Sequence, residues 1–71
     1  MTAEEWIRTF AEEIGSTPPS PELMDEILRL ASVAAHASER KAAPIACWLA
    51  ATTGRPVSEL RRIAERLPQG S

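Results

Sequence analysis

The amino-acid sequence predicts an all-α fold: one domain over residues 1–71, folded as a compact bundle of four short helices. Three observations predict it. Apolar residues recur at three- and four-residue spacing along four stretches, and nowhere alternate with polar ones as a half-buried strand would. Prolines and glycines cluster at the ends of those stretches. Alanine is abundant from Ala31 to Ala51, where small side chains let two helices approach closely.

The first helix is expected over about residues 3–14. Thr2-Ala3-Glu4-Glu5 reads as a capping box, a Thr cap answered by a Glu three residues on. The acidic first turn suits the positive end of the helix dipole. Trp6, Ile7, Phe10 and Ile14 share a face, and Gly15 supplies the left-handed residue that ends the helix. Ser16-Thr17-Pro18-Pro19 follows as a stiff connector, because the prolines lack donors and favour extended geometry before them.

Ser20 caps the second helix, expected over 21–38, with Pro21 at its first position. Leu23, Ile27, Leu30, Ala31 and Ala34 form its inward stripe, widened by Met24, Leu28 and Ala35. The third helix is expected over 44–53, opened by Pro44 and stopped by Gly54. Its Ile45, Trp48, Leu49 and Thr52 share a face, and Trp48 is expected to fill volume that the alanines leave open. The fourth is expected over 56–67, with Val57, Leu60, Ile63, Ala64 and Leu67 as its stripe and Pro68 as its terminator. Gln69-Gly70-Ser71 is expected to fray. The second and third helices are expected to be the tightest pair.

Composition excludes several functional classes. At 44% hydrophobic and 25% charged, the chain is an ordinary folding sequence. A domain of 71 residues buries only about 60% of the surface its unfolded chain exposes, so association is a common source of extra stability. The single cysteine, Cys47, permits no internal disulfide, as in a reducing compartment. The chain opens without a basic, then apolar, leader, and no stretch approaches the roughly 20 apolar residues of a membrane span. A cytoplasmic protein away from the membrane is expected.

Net charge is −2, but it is unevenly spread. Residues 1–35 set two arginines against seven acids, a net −5, and residues 36–71 set six basic residues against three acids, a net +3. The halves attract within one chain, and a head-to-tail homodimer would use the same asymmetry.

The polar constellation with most chemistry in it lies late in the second helix. Ser32, His36 and Arg40 are spaced i, i+4, i+8, so a continuous helix aligns them on its outward side. Such a ladder receives a phosphate, a carboxylate or a partner's acidic residue. The competing reading is a solvated last turn, where His and Arg suit the helix dipole. With Pro44, these residues form the candidate binding surface.

No catalytic set is visible, and no enzyme is expected. Cys47 is a lone thiol in an apolar helix, and the one histidine has no second catalytic group beside it in sequence. One His and one Cys do not make a zinc site, and no metal or cofactor is expected. The alternative is a DNA-binding module using the helix at 56–67: Gly54 to Ile63 looks like the turn and second helix of a helix-turn-helix, with Arg55, Arg61, Arg62 and Arg66 placed to meet phosphates. The acidic net charge and the interrupting Glu59 and Glu65 weigh against that alternative.

From Ala31 to Leu49 the sequence resembles a small helical family of unknown function from actinobacteria, which occurs alone or fused to the molybdenum cofactor guanylyltransferase. The matching residues are Ala35-His36, Arg40, Ala42-Ala43-Pro44 and Leu49, and Trp6 and Ile14-Gly15 also fit. Lys41 stands where the family usually has a proline, and Trp48 where it usually has a phenylalanine. The resemblance implies a context and not a mechanism. That context is molybdenum cofactor (molybdopterin guanine dinucleotide) biosynthesis, through contact with a nucleotidyltransferase or its pterin-nucleotide product. The expected function is a non-enzymatic helical accessory domain that binds a protein partner, with a nucleotidyltransferase of that pathway as the partner the resemblance implies.

Overall fold

Helix α1 (Ala3–Glu13) starts on the expected reciprocal cap in the computed structural model, which describes residues 1–69. Thr2 Oγ1 accepts from the Glu5 amide at 3.1 Å, and Glu5 Oε1 accepts from the Thr2 amide at 2.9 Å. The second bond holds the Glu5 carboxyl below the usual carboxylate range, because it favours the charged form. The helix ends one residue before expectation. Ile14 is the cap, Gly15 takes a φ of 72°, and the Gly15 and Ser16 amides turn back to the Glu12 and Ala11 carbonyls. That pair of bonds is a Schellman motif, and its glycine is there because the left-handed conformation crowds any Cβ.

Helix α2 (Pro21–Ala37) opens as expected, with Ser20 Oγ accepting from Leu23 N at 3.1 Å and Pro21 in the first turn. It stops at Ala37, one residue early, because Ser38 leaves helical space at φ −140° and ψ −97°. Helix α3 (Ala42–Thr53) begins two residues before Pro44, correcting the expectation that this proline marks the first position. Pro44 is nonetheless tolerated, since first-turn amides have no partner inside the helix. Gly54, at φ 69°, ends α3.

Helix α4 (Val57–Glu65) is shorter than the expected 56–67 at both ends. Pro56 is its cap, at an extended ψ of 132°. At the far end, Pro68 disfavours helical geometry at Leu67, and the chain tightens before it reaches the proline. The Arg66 and Leu67 amides donate to Ile63 and Ala64, three residues back, at 3.1 Å each. Gln69 Nε2 donates to the Leu67 carbonyl at 2.8 Å beyond the helix, and the Gly70-Ser71 part of the expected frayed tail lies outside the described residues. No strand occurs among the described residues, and the all-α bundle is as the sequence predicts.

The core forms around α2, which packs on α4 as extensively as on α3, while α3 and α4 meet over a short stretch. Leu30, only 4% exposed, sits at the centre, with Ala50 buried against the same region. Arg61 Nε donates to Glu26 Oε2 at 2.8 Å and ties α4 to α2 from the side. The same guanidinium reaches Glu65 on its own helix at 3.1 Å.

Two expected core faces turn out to be open. On α3, the face with Ala43, Ala46, Cys47 and Ala50 turns inward, and the Cys47 thiol lies 3.9 Å from the Ile27 carbonyl of α2. Ile45, Trp48, Leu49 and Thr52 therefore point outward, and Trp48 is 66% exposed where a volume-filling role was expected. The reason is geometric: an alanine face lets two helix backbones approach closely, and a tryptophan does not fit that gap.

On α1, the stripe of Trp6, Phe10 and Ile14 is also uncovered, with Trp6 54% exposed. Among the described residues no Cα of α1 lies within 8 Å of the other three helices. The radius of gyration, 12.9 Å, exceeds the about 11 Å usual for this length, and the extents are 38 × 25 × 18 Å. The all-α bundle closes on α2, α3 and α4, and α1 makes no close backbone approach to them, although its Ala11 is buried and its Ile7, the fourth residue of the expected stripe, is half-buried.

Candidate functional site

The expected polar ladder is half assembled. Ser32 and His36, both exposed, face each other across one turn of α2. His36 Nδ1 lies 2.8 Å from the Ser32 carbonyl and 3.2 Å from Ser32 Oγ. A carbonyl can only accept, so this bond places the imidazole proton on Nδ1. The contact holds the orientation of the ring and leaves Nε2 without a hydrogen-bond partner among the described residues.

Arg40 does not continue the ladder. Because α2 ends at Ala37, Arg40 lies in the turn between α2 and α3, off the helical row that the i+8 spacing assumes. Its carbonyl accepts from the Ala43 amide at 3.0 Å, and its side chain makes no hydrogen bond or ion pair among the described residues. Neighbouring Lys41 is paired with Glu39 at 3.6 Å. Pro44 is exposed in the first turn of α3. The structure thus joins Ser32 to His36 directly, and places Arg40 and Pro44 on the loop and helix start that follow.

Apolar chemistry dominates the concave surfaces. A groove of about 470 Å³ runs between α2, α3 and the end of α4, bordered by Leu30, Val33, Ile45, Ala46, Leu49 and Leu67. A second recess, near 250 Å³, lies over Leu23, Ile27, Cys47 and Val57. Burial pushes the Cys47 thiol up from its ordinary value, which makes it a poorer nucleophile near neutral pH. Among the described residues no group of three or more His, Cys, Asp or Glu side chains is placed to hold a metal ion. No helix among them is long and apolar enough to cross a membrane.

On α4, two of the four arginines considered for phosphate contact are already engaged. Arg61 is bonded to Glu26 and Glu65, and Arg55 pairs with Glu59. The paired carboxylates favour the charged guanidinium of Arg61, which is pushed above its ordinary range with the Glu26 bond as the largest cause. A phosphate would have to displace these carboxylates, leaving Arg62 on α4 and Arg66 at its cap as the arginines of this set without an ion pair among the described residues.

The outward apolar faces of α1 and α3 escaped the functional reading of the sequence, because periodicity identifies a face without saying what covers it. On α1, Trp6 and Phe10 stack with ring centroids 5.2 Å apart and planes 18° apart, a preformed aromatic surface.

Alanines inward, aromatics outward and a short polar row on the central helix define a small helical module with unspent apolar surface. The chain belongs to the family described as Domain of unknown function (DUF6457), whose model matches residues 1–69. No curated protein and no solved structure matches it.

Proposed function

We propose that this domain is a non-catalytic protein-interaction module. The observation that carries the reading is the inverted distribution of its large side chains. Trp6, Phe10, Ile14, Ile45, Trp48 and Leu49 are exposed while alanines fill the interior contacts. Clustered exposed apolar side chains of this kind, one set on α1 and one on α3, mark contact sites for another macromolecule. The polar part of the surface is His36, oriented by Ser32, with Arg40 and Pro44 beyond it. An exposed imidazole of held orientation and an uncommitted guanidinium supply direction and charge at the rim of such a contact.

For the partner, the proposal follows the resemblance carried by Ala35-His36, Arg40, Ala42-Ala43-Pro44 and Leu49: a nucleotidyltransferase of molybdenum cofactor biosynthesis, the domain serving as its accessory. The test is capture of purified molybdenum cofactor guanylyltransferase by the immobilised domain, with His36→Ala and Arg40→Ala beside the wild type. Both residues are exposed, so both variants should keep their far-UV circular dichroism and retain less enzyme. No capture by the wild type removes the partner. Unchanged capture by folded variants removes the surface, and loss of helicity in both makes those residues structural instead.

A further inference from the structure

Both uncovered apolar faces have the shape of helix-packing surfaces. On α1, Trp6, Phe10 and Ile14 follow each other at four-residue spacing and form a single ridge along the helix. On α3, Ile45 and Leu49 form one such row and Trp48 and Thr52 the next, with a furrow between them. Interlocking of four-residue rows is the commonest helix–helix packing. Ile45 and Leu49 also border the groove over Leu30, so the furrow continues into that apolar recess of about 470 Å³.

We propose that two copies of this chain exchange α1, the Trp6–Phe10–Ile14 ridge of each copy seating on the Ile45–Trp48–Leu49 face and adjoining groove of the other. Three observations choose a second copy as the occupant.

The first is area. The chain exposes 5479 Å², whereas a folded monomer of 7.7 kDa exposes about 4,300 Å². The excess exceeds the about 800 Å² that each partner contributes to a standard stable interface.

The second is charge. Residues 1–15 set Glu4, Glu5, Glu12 and Glu13 against Arg8, a net −3. Helix α3 carries no charge of its own, and cations bound the receiving surface in sequence, Arg40 and Lys41 before Ala42 and Arg66 beside Leu67. Arg40 and Arg66 make no ion pair among the described residues. An acidic helix with an apolar ridge is complementary to an apolar furrow with basic ends.

The third is the connector. Pro18 and Pro19 fix their φ angles and disfavour helical geometry in the residues before them, which opposes a fold-back of α1 onto its own α3. Reciprocal exchange leaves the connector extended and closes the assembly by a two-fold axis, so both ridges and both furrows are covered at once.

The test is light-scattering mass on a sizing column. The wild type is expected at about twice 7.7 kDa, falling toward the monomer on dilution. Trp6→Glu, on the ridge, and Leu49→Glu, on the furrow, should each give a helical monomer. Mixed in equal amounts they should recover dimer mass, because the intact ridge of one fits the intact furrow of the other. Should Leu49→Glu lose helicity, Trp48→Glu takes its place, since that side chain is the more exposed. A monomeric wild type overturns the proposal, including one whose tryptophan fluorescence reports burial, which would mean α1 closes on its own chain. Dimers that persist in either glutamate variant, or variants that stay monomeric when mixed, overturn it too. The residues differ from His36 and Arg40, so this outcome is independent of partner capture.

Discussion

Leu30→Ala tests the architecture most directly. Leu30 is 4% exposed and borders the groove, the recess over Ile27 and a third apolar hollow beside Leu60 and Ile63, so its side chain is shared by all three walls. Truncation to alanine deletes about three buried carbon groups at about 0.8 kcal/mol each, near 2.4 kcal/mol of transfer energy. The space left behind raises the cost to about 3 kcal/mol, within the range measured for buried leucines. A domain of this length has about 4–10 kcal/mol of stability in total, so the loss is a large fraction of it. In thermal unfolding followed by circular dichroism at one protein concentration, Tm should fall by about 12–24 °C. Leu28→Ala, two residues away on the same helix but 64% exposed, is the control and should stay within about 0.5 kcal/mol of wild type. A cost below about 1 kcal/mol at Leu30 would refute the claim that α2, α3 and α4 close around this side chain.

Three further outcomes follow from particular contacts. The bond from Arg61 is the largest cause holding the Glu26 carboxyl below its ordinary value, so this pair stabilises the fold above the unfolded carboxylate range and the effect is lost as pH falls through the folded value. Glu26→Gln should lose stability at neutral pH and decline less than wild type between about pH 5 and pH 3, and parallel urea-melt curves would contradict the pairing. Cys47, its thiol pushed up by burial, should react with a thiol reagent far more slowly in the folded protein than in denaturant, and equal rates at the same pH would show that the α3 alanine face is open. Gly54→Ala should lower stability by about 1 kcal/mol, because φ is 69° and nothing lies within 4 Å of the added Cβ, so the cost is conformational alone; an unchanged Tm would mean the turn rearranges.

The sequence was most informative where structure is local. The α1 capping box, the Ser20 cap and the glycine stops at 15 and 54 depend on residues within a few positions of each other, and all are present. Boundaries moved by one or two residues where a neighbouring proline acts at a distance: Pro68 tightened the chain before Leu67, and Pro44 was admitted inside the first turn of α3. The candidate site was legible as far as the helix ran. Ser32 and His36 met because one turn separates them, and Arg40 left the row because α2 stops at Ala37.

By itself, the sequence determined the all-α class, the order of the four helices and the apolar faces of each, since caps, breakers and a 3.6-residue period are properties of neighbouring residues. Only the tertiary structure decided which faces are covered. It turned the small side of α3 toward α2 and left the α1 backbone without a close approach to the other helices, so that Trp6, Phe10 and Trp48 face outward. The physical reason is that burial depends on how closely two backbones can approach, and alanine permits a contact distance that the larger and more hydrophobic residues of the same helix do not.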